Sequence, residues 1–152
     1  KQTKGRGTMG KKWVSKKGNL FISLFFEINQ KKINFKNYSI LNAFILRKTI
    51  SKFANEKINI KWPNDLLYKK KKICGILQEV ISFERKNFLI IGVGINTNFA
   101  PYNRSFSSTS LKDIADKRID NKKIINDIMK KYEKLLNEIS RLSFIKLLKK
   151  YK

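Results

Sequence analysis

Histidine is absent from the 152 residues, and cysteine occurs once, at Cys74. Without histidine, Ser-His-Asp and Cys-His catalysis are excluded, as are imidazole-ligated metals. A single thiol excludes an internal disulfide and a cysteine-based zinc cluster. No apolar run approaches the ~20 residues of a membrane span, and no signal peptide is legible. The expectation is a soluble, cytoplasmic protein with no membrane partner. Acidic side chains are scarce: 11 Asp plus Glu stand against 35 Lys plus Arg, a formal net charge of +24. Proline occurs twice and glycine only seven times.

What is present fits one domain of ordinary size. Apolar residues make up 41% of the chain, enough for a core. The charge divides into 29 Lys and only 6 Arg, beside 21 Ile and 15 Asn. Lysine, isoleucine and asparagine share codons rich in A and T, so coding bias accounts for much of this composition. Recognition surfaces favour arginine, whose planar fork pairs with phosphate and guanine. The lysines are also spread along the chain, which argues for a solvated surface and against a specific nucleic-acid partner.

Apolar patterning places a strand over Asn19–Ile28, a helix over Ser39–Ala54 and a short strand over Lys57–Trp62. A hairpin follows, with Leu66–Tyr68 and Lys72–Ile81 flanking a lysine cluster, and another strand covers Asn87–Asn96. A serine-rich loop spans Phe99–Thr109. Ser110 and Asp113 form a capping-box pattern, and helices are expected over Asn121–Ser140 and around Phe144–Tyr151. Hairpin-joined strands with inserted helices predict an α+β fold, a mixed but largely antiparallel sheet flanked by helices.

The glycines fall in three blocks, Gly5–Gly18, Gly75 and Gly92–Gly94. In so glycine-poor a chain they mark places where the backbone needs positive φ or where a group approaches closely. Gly5, Gly7 and Gly10 match G-x-G-x-x-G. A dinucleotide fingerprint needs a preceding strand and a following helix, and four residues before it leave no room for the strand. Bare amides with Lys4, Arg6, Lys11 and Lys12 nearby still suit an anion; a surface loop is the alternative. Lys61-Trp-Pro-Asn-Asp65 sets a cation, a ring, a rigid turn, an amide and a carboxylate at a strand end. Such residues serve turns, and an Asp there also suits Mg²⁺ beside phosphates. Lys72 leads into an apolar strand three residues before Gly75, unlike its solvated neighbours. Gly92 and Gly94, one pleat period apart, clear one face of a strand. A flat ligand could lie there, with Asn96 and Asn98 at its edge; close packing is the other reading.

Taken in order, Gln2-Thr-Lys-Gly-Arg-Gly-Thr-Met-Gly-Lys-Lys-Trp13, Gly18-Asn-Leu-Phe-Ile-Ser23, Lys61-Trp-Pro-Asn-Asp65, Lys72-Ile-Cys-Gly-Ile-Leu77 and Gly92-Val-Gly-Ile-Asn96 resemble the catalytic domain of biotin protein ligases, members of the biotin/lipoate ligase superfamily. The resemblance implies a fold similar to class II aminoacyl-tRNA synthetase cores. It implies ATP and Mg²⁺ as cofactors, biotin as substrate and biotinyl-5′-AMP as intermediate. The implied partner is the biotin-carrier domain of acetyl-CoA carboxylase, with a homodimer as an admissible assembly. Lys72 and Arg6 match the catalytic cations. Gln2, Arg6, Gly7, Thr8, Lys72, Gly75, Gly92 and Gly94 match biotin-side positions. Trp13, Lys61, Asn64, Asp65 and Asn96 match nucleotide-side positions, and Asp65 is the implied Mg²⁺ ligand.

Three departures accompany the match. Thr8 stands where the family often has a second arginine. The preceding segment with its Ser/Thr pair and the β-barrel domain that usually follows are both missing from residues 1–152, so a single, N-terminally incomplete catalytic domain is expected. No helix-turn-helix domain is present to support operator binding. A lipoate or octanoate ligase of the same superfamily is the nearest rival. A basic nucleic-acid-binding module is the rival of another class, and it needs aromatics on an exposed sheet. Phe21, Phe25, Phe44 and Phe53 read instead as core stripes. A third alternative is a remnant that folds without catalysing.

Overall fold

The computed structural model describes residues 2–102 and 106–152, so part of the expected serine-rich loop lies outside the described residues. In chain order the elements are β1 (Leu20–Ile28), α1 (Phe35–Ile50), β2 (Ile58–Lys61), β3 (Asp65–Tyr68), β4 (Lys71–Phe83), β5 (Lys86–Ile95), α2 (Leu111–Ala115), α3 (Asn121–Ile139) and α4 (Phe144–Tyr151). The strands make one five-stranded sheet in the order β1-β5-β4-β3-β2. Every ladder is antiparallel. The α+β expectation holds, and the expected mixed character shrinks, among the described residues, to one parallel bridge between Lys72 and Ser108.

Tight turns explain the antiparallel order. Lys69–Lys70 joins β3 to β4 and Glu84–Arg85 joins β4 to β5, with positive φ at all four residues. Two left-handed residues in a row match the twist of the strands they connect. Helix α1 starts at Phe35, four residues before the expected Ser39, because Asn34 caps it: its side chain accepts from the Asn37 amide at 2.9 Å. The expected tail of that helix, Ser51–Phe53, is a turn of 3-10 helix. At α2 the capping box of Ser110 and Asp113 is formed.

Helices α1 and α3 cover one face of the sheet. There Leu24 and Ile28 of β1 and Leu89, Ile91 and Val93 of β5 pack with Leu41, Ile45 and Leu46 of α1 and Ile124, Ile128 and Leu135 of α3. Buried polar groups tie the layers together. Asn42 donates to Gln78 at 2.6 Å and accepts from Tyr132 at 2.9 Å. Among the described residues the other face of the sheet carries no helix layer, and it corrects one sequence reading. Phe25 is 59% exposed, stacked on Phe88 at 5.0 Å. Phe25, expected in a core stripe, lies on the face away from the helices, since only alternate residues of the strand meet them.

Asp127 of α3 collects Thr49 at 2.8 Å, Lys52 at 2.5 Å and Lys131. Burial alone would raise its carboxyl, but hydrogen bonds from Lys131, Lys52 and Thr49 outweigh that and bring it from 3.8 down to about 2. A depressed acid stabilises the fold above its unfolded value and loses that contribution as pH falls through its folded value. Asp127→Asn should therefore cost about 1 kcal/mol at neutral pH, after allowance for solvent screening. It should also flatten the stability curve between about pH 4 and pH 2, as measured by urea unfolding across that range.

Candidate functional site

The first glycine block folds back on itself over the open face of the sheet. The Gly7 amide donates to the Lys11 carbonyl at 2.6 Å and the Trp13 amide to the Gly5 carbonyl at 2.9 Å. A turn of 3-10 helix at Thr8–Gly10 forms the tip. At the base, the Trp13 indole rests on β4 and β5. A Cβ added at Gly75 or Gly94, which are register partners, would stand 2.5 or 2.6 Å from that ring. The flat group lying on Gly94 is thus the chain's own indole. The same test at Gly92 meets only Leu77, at 3.5 Å, so the floor beside the indole stays clear.

Lys72 stands apart from the lysine cluster as expected. Its backbone is pinned from both sides, donating to Ser107 at 2.8 Å and accepting from Thr109 at 3.0 Å. Its side chain is 16% exposed and pairs with Asp65 at 2.6 Å. The ammonium lies 5.1 Å from the centre of the Trp13 ring and 5.3 Å from that of Phe106, within cation–π range of both. Arg6 reaches Glu79 at 3.0 Å. Thr8 accepts a hydrogen bond from the Asn64 amide at 3.2 Å. Asn96 donates to the Lys72 carbonyl at 3.4 Å. Two buried polar atoms, the Trp13 Nε1 donor and the Asn96 Oδ1 acceptor, have no hydrogen-bond partner among the described residues. Such groups carry a desolvation penalty until something meets them.

Together these segments enclose a cleft of about 290 Å³, just under the usual range for small-molecule sites. It brings together Gln2, Arg6, Gly7, Thr8, Trp13, Asn64, Lys72, Gly75, Gly92, Gly94 and Asn96. Lys61 is outside the lining, exposed at the end of edge strand β2. Asp65 also stands behind the lining, where it neutralises Lys72. Asn98 does not edge the cleft: its side chain braces a corner, bonding Gly18 at 3.0 Å and both the carbonyl and amide of Ile119 at 3.1 and 2.9 Å.

Phe106 and Glu79 are among the lining residues that the sequence did not single out. Phe106 arrives from a loop with no periodic pattern, so nothing local signals it. Glu79 was accessible in principle, because Gly75, Leu77 and Glu79 alternate onto one face of β4. Among the described residues, five cations, Lys4, Arg6, Lys11, Lys12 and Lys72, line the cleft against the single acid Glu79, which favours a polyanion. The donors do not build a metal site: Asp65 is engaged by Lys72, and the described residues contain no cluster of three or more candidate ligands. A metal here would come with a ligand's phosphates.

If the glycine floor exists for the indole, Gly94→Ala should lift Trp13 from its seat, at an overpacking cost of about 1–3 kcal/mol. Tryptophan fluorescence in a Trp62→Phe background should shift to the red, and Gly92→Ala should leave it unchanged.

A family model described as the biotin/lipoate A/B protein ligase family matches residues 1–96. The Bifunctional ligase/repressor BirA of Bacillus subtilis is 36% identical over 140 residues, covering 88% of this chain and 43% of that protein. The Biotin--[acetyl-CoA-carboxylase] ligase of Mycobacterium tuberculosis is 28% identical over 137 residues, covering 87% of this chain and 50% of that protein. Among solved structures, the biotin protein ligase of Aquifex aeolicus in complex with biotin and ATP superposes with a TM-score of 0.77 at 31% identity. It covers 94% of this chain and 60% of that one. The chain thus spans about half the length of the curated relatives it matches. A family model that takes in well over half of its residues, and a ligase relative aligned along most of its length, establish that the chain belongs to the biotin/lipoate A/B protein ligase family.

Proposed function

We propose that this chain carries the catalytic core for ATP-dependent attachment of biotin to a lysine of a biotin-carrier domain. The observation that carries the reading is the placement of Lys72. It is a pinned, mostly buried cation at the wall of a cleft whose floor is cleared by glycine. In the first step a biotin carboxylate oxygen attacks the α-phosphorus of ATP, and pyrophosphate leaves. Both reactants are anions, so their mutual repulsion is the barrier that fixed positive charge lowers. Lys72 and Arg6 supply that charge, and no histidine is required. In the second step a carrier lysine amine attacks the activated carbonyl, and AMP leaves.

The open strip along Gly92 is the apolar slot suited to a bicyclic ring. The orphaned Asn96 Oδ1 and Trp13 Nε1 are an acceptor and a donor for a ligand's polar edge. Asn64 is assigned to the nucleotide side, and its hydrogen bond to Thr8 at 3.2 Å ties the loop tip to it. Mg²⁺ enters with the phosphates of ATP, because the protein groups present do not hold it alone. The names of the relatives support the biotin-carrier domain of acetyl-CoA carboxylase as acceptor. The rival substrate, lipoate, is tested by ligand protection: biotin and not lipoate should raise the melting temperature.

Lys72→Ala should lower biotin-dependent ATP–pyrophosphate exchange by about 10²–10³-fold, the scale of losing one preorganised charge-stabilising donor. Lys70→Ala, at an exposed turn, should change it little; equal losses from the two would remove Lys72 from the catalytic role.

Thr8 brings no charge to the loop tip, where an arginine would make a bidentate phosphate pair. Thr8→Arg should therefore retain the adenylate better and lower biotin incorporation into serum albumin relative to a carrier domain. An unchanged ratio would mean that the loop holds the intermediate by another route.

A further inference from the structure

Among the residues lining the cleft, one works against the binding of an anion. Glu79 is its single acid among the described residues, set in the open face of β4 opposite Ile90 and two residues from Leu77 and Ile81. A carboxylate in an apolar row, next to a site that takes phosphates, requires a compensating use. Its partner supplies one: Glu79 Oε2 accepts from a single Nη of Arg6 at 3.0 Å. A guanidinium has five donors, and Arg6 makes no other side-chain hydrogen bond among the described residues. The contact therefore fixes the group while leaving most of its donors to a ligand.

The loop also needs a counter-charge. Lys4, Arg6, Lys11 and Lys12 lie within nine residues and face Lys72 across the cleft. In the empty protein their mutual repulsion opposes the loop's seat on the sheet. Besides the indole at its base, the loop is tied down at two side-chain points among the described residues: Thr8 to Asn64 on one side and Arg6 to Glu79 on the other. Only the second offsets charge.

We propose that Glu79 is a positioning residue for Arg6, holding the guanidinium and its loop across the mouth of the cleft so that the remaining donors meet the reacting phosphate. The loop-holding half is a statement about the fold; the phosphate half rests on the activity proposed above. In the ligand-free full chain, Glu79→Gln should speed trypsin cleavage at Arg6, Lys11 and Lys12 by about two- to fivefold, the range of one partly exposed ion pair. Cleavage elsewhere and the melting temperature should hold, and Glu79→Asp, which keeps the charge, should recover part of the protection. In biotin-dependent exchange, Glu79→Gln should lower kcat by a similar factor with the KM for biotin unchanged. In an Arg6→Ala background the same substitution should have no further effect. Unchanged loop cleavage, or an equal loss of exchange in the Arg6→Ala background, would overturn the proposal. If the unsubstituted chain shows no biotin-dependent exchange, the activity reading fails, and the cleavage rates still decide whether Glu79 holds Arg6.

Discussion

The site depends on one packing contact, the Trp13 indole laid across Gly75 and Gly94. A large ring can sit flush on a sheet only where the strands beneath carry no side chain, and here two adjacent strands omit it in register. That contact seats the base of the glycine loop and so sets where Arg6 and Thr8 fall. It also supplies one wall of the box around Lys72. A methyl group on either glycine would disturb the loop, the cation and the cleft together.

Charge is handled differently at the two ends of the cleft. Lys72 is nearly enclosed, with Asp65 behind it and aromatic rings at two sides. Its geometry is therefore fixed before a ligand arrives, and its burial keeps its charge strongly felt. Arg6 is 70% exposed and held by a single oxygen, so most of its donors stay open to a ligand. One preorganised cation and one tethered cation suit a reaction whose charge moves during the step. The remaining lysines, distributed over the surface, contribute a general field and little direction.

The far side of the sheet holds this arrangement still. Helices α1 and α3 bury one face, and the buried Asn42 links β4 to α3 through Gln78 and Tyr132. The strand that carries Gly75, Leu77 and Glu79 on its open face is thereby anchored on its closed face. Alternation along a strand lets a single element serve the core and the cleft at once.

Much of this was legible in the chain itself. Apolar periodicity gave the strands, α3 and α4, because burial of one face leaves a repeat in the sequence. Scarce glycine marked the floor of the cleft, since only a backbone requirement keeps it in such a composition. Lys72 stood out because it leads into an apolar strand, and the family motifs supplied the chemistry. Other features were decided by the tertiary structure. Periodicity says that Phe25 alternates with buried residues but not which face the helices cover. Spacing placed Asn98 at a ligand's edge, yet its side chain turned to a corner of the chain, and the pairing of Asp65 with Lys72 was not visible in the sequence. Phe106 reaches the cleft from a loop without pattern, and Glu79 meets an arginine 73 residues away. A sequence records the preferences of each residue and its near neighbours. Which distant side chains become partners is settled only when the sheet closes and the loop comes down upon it.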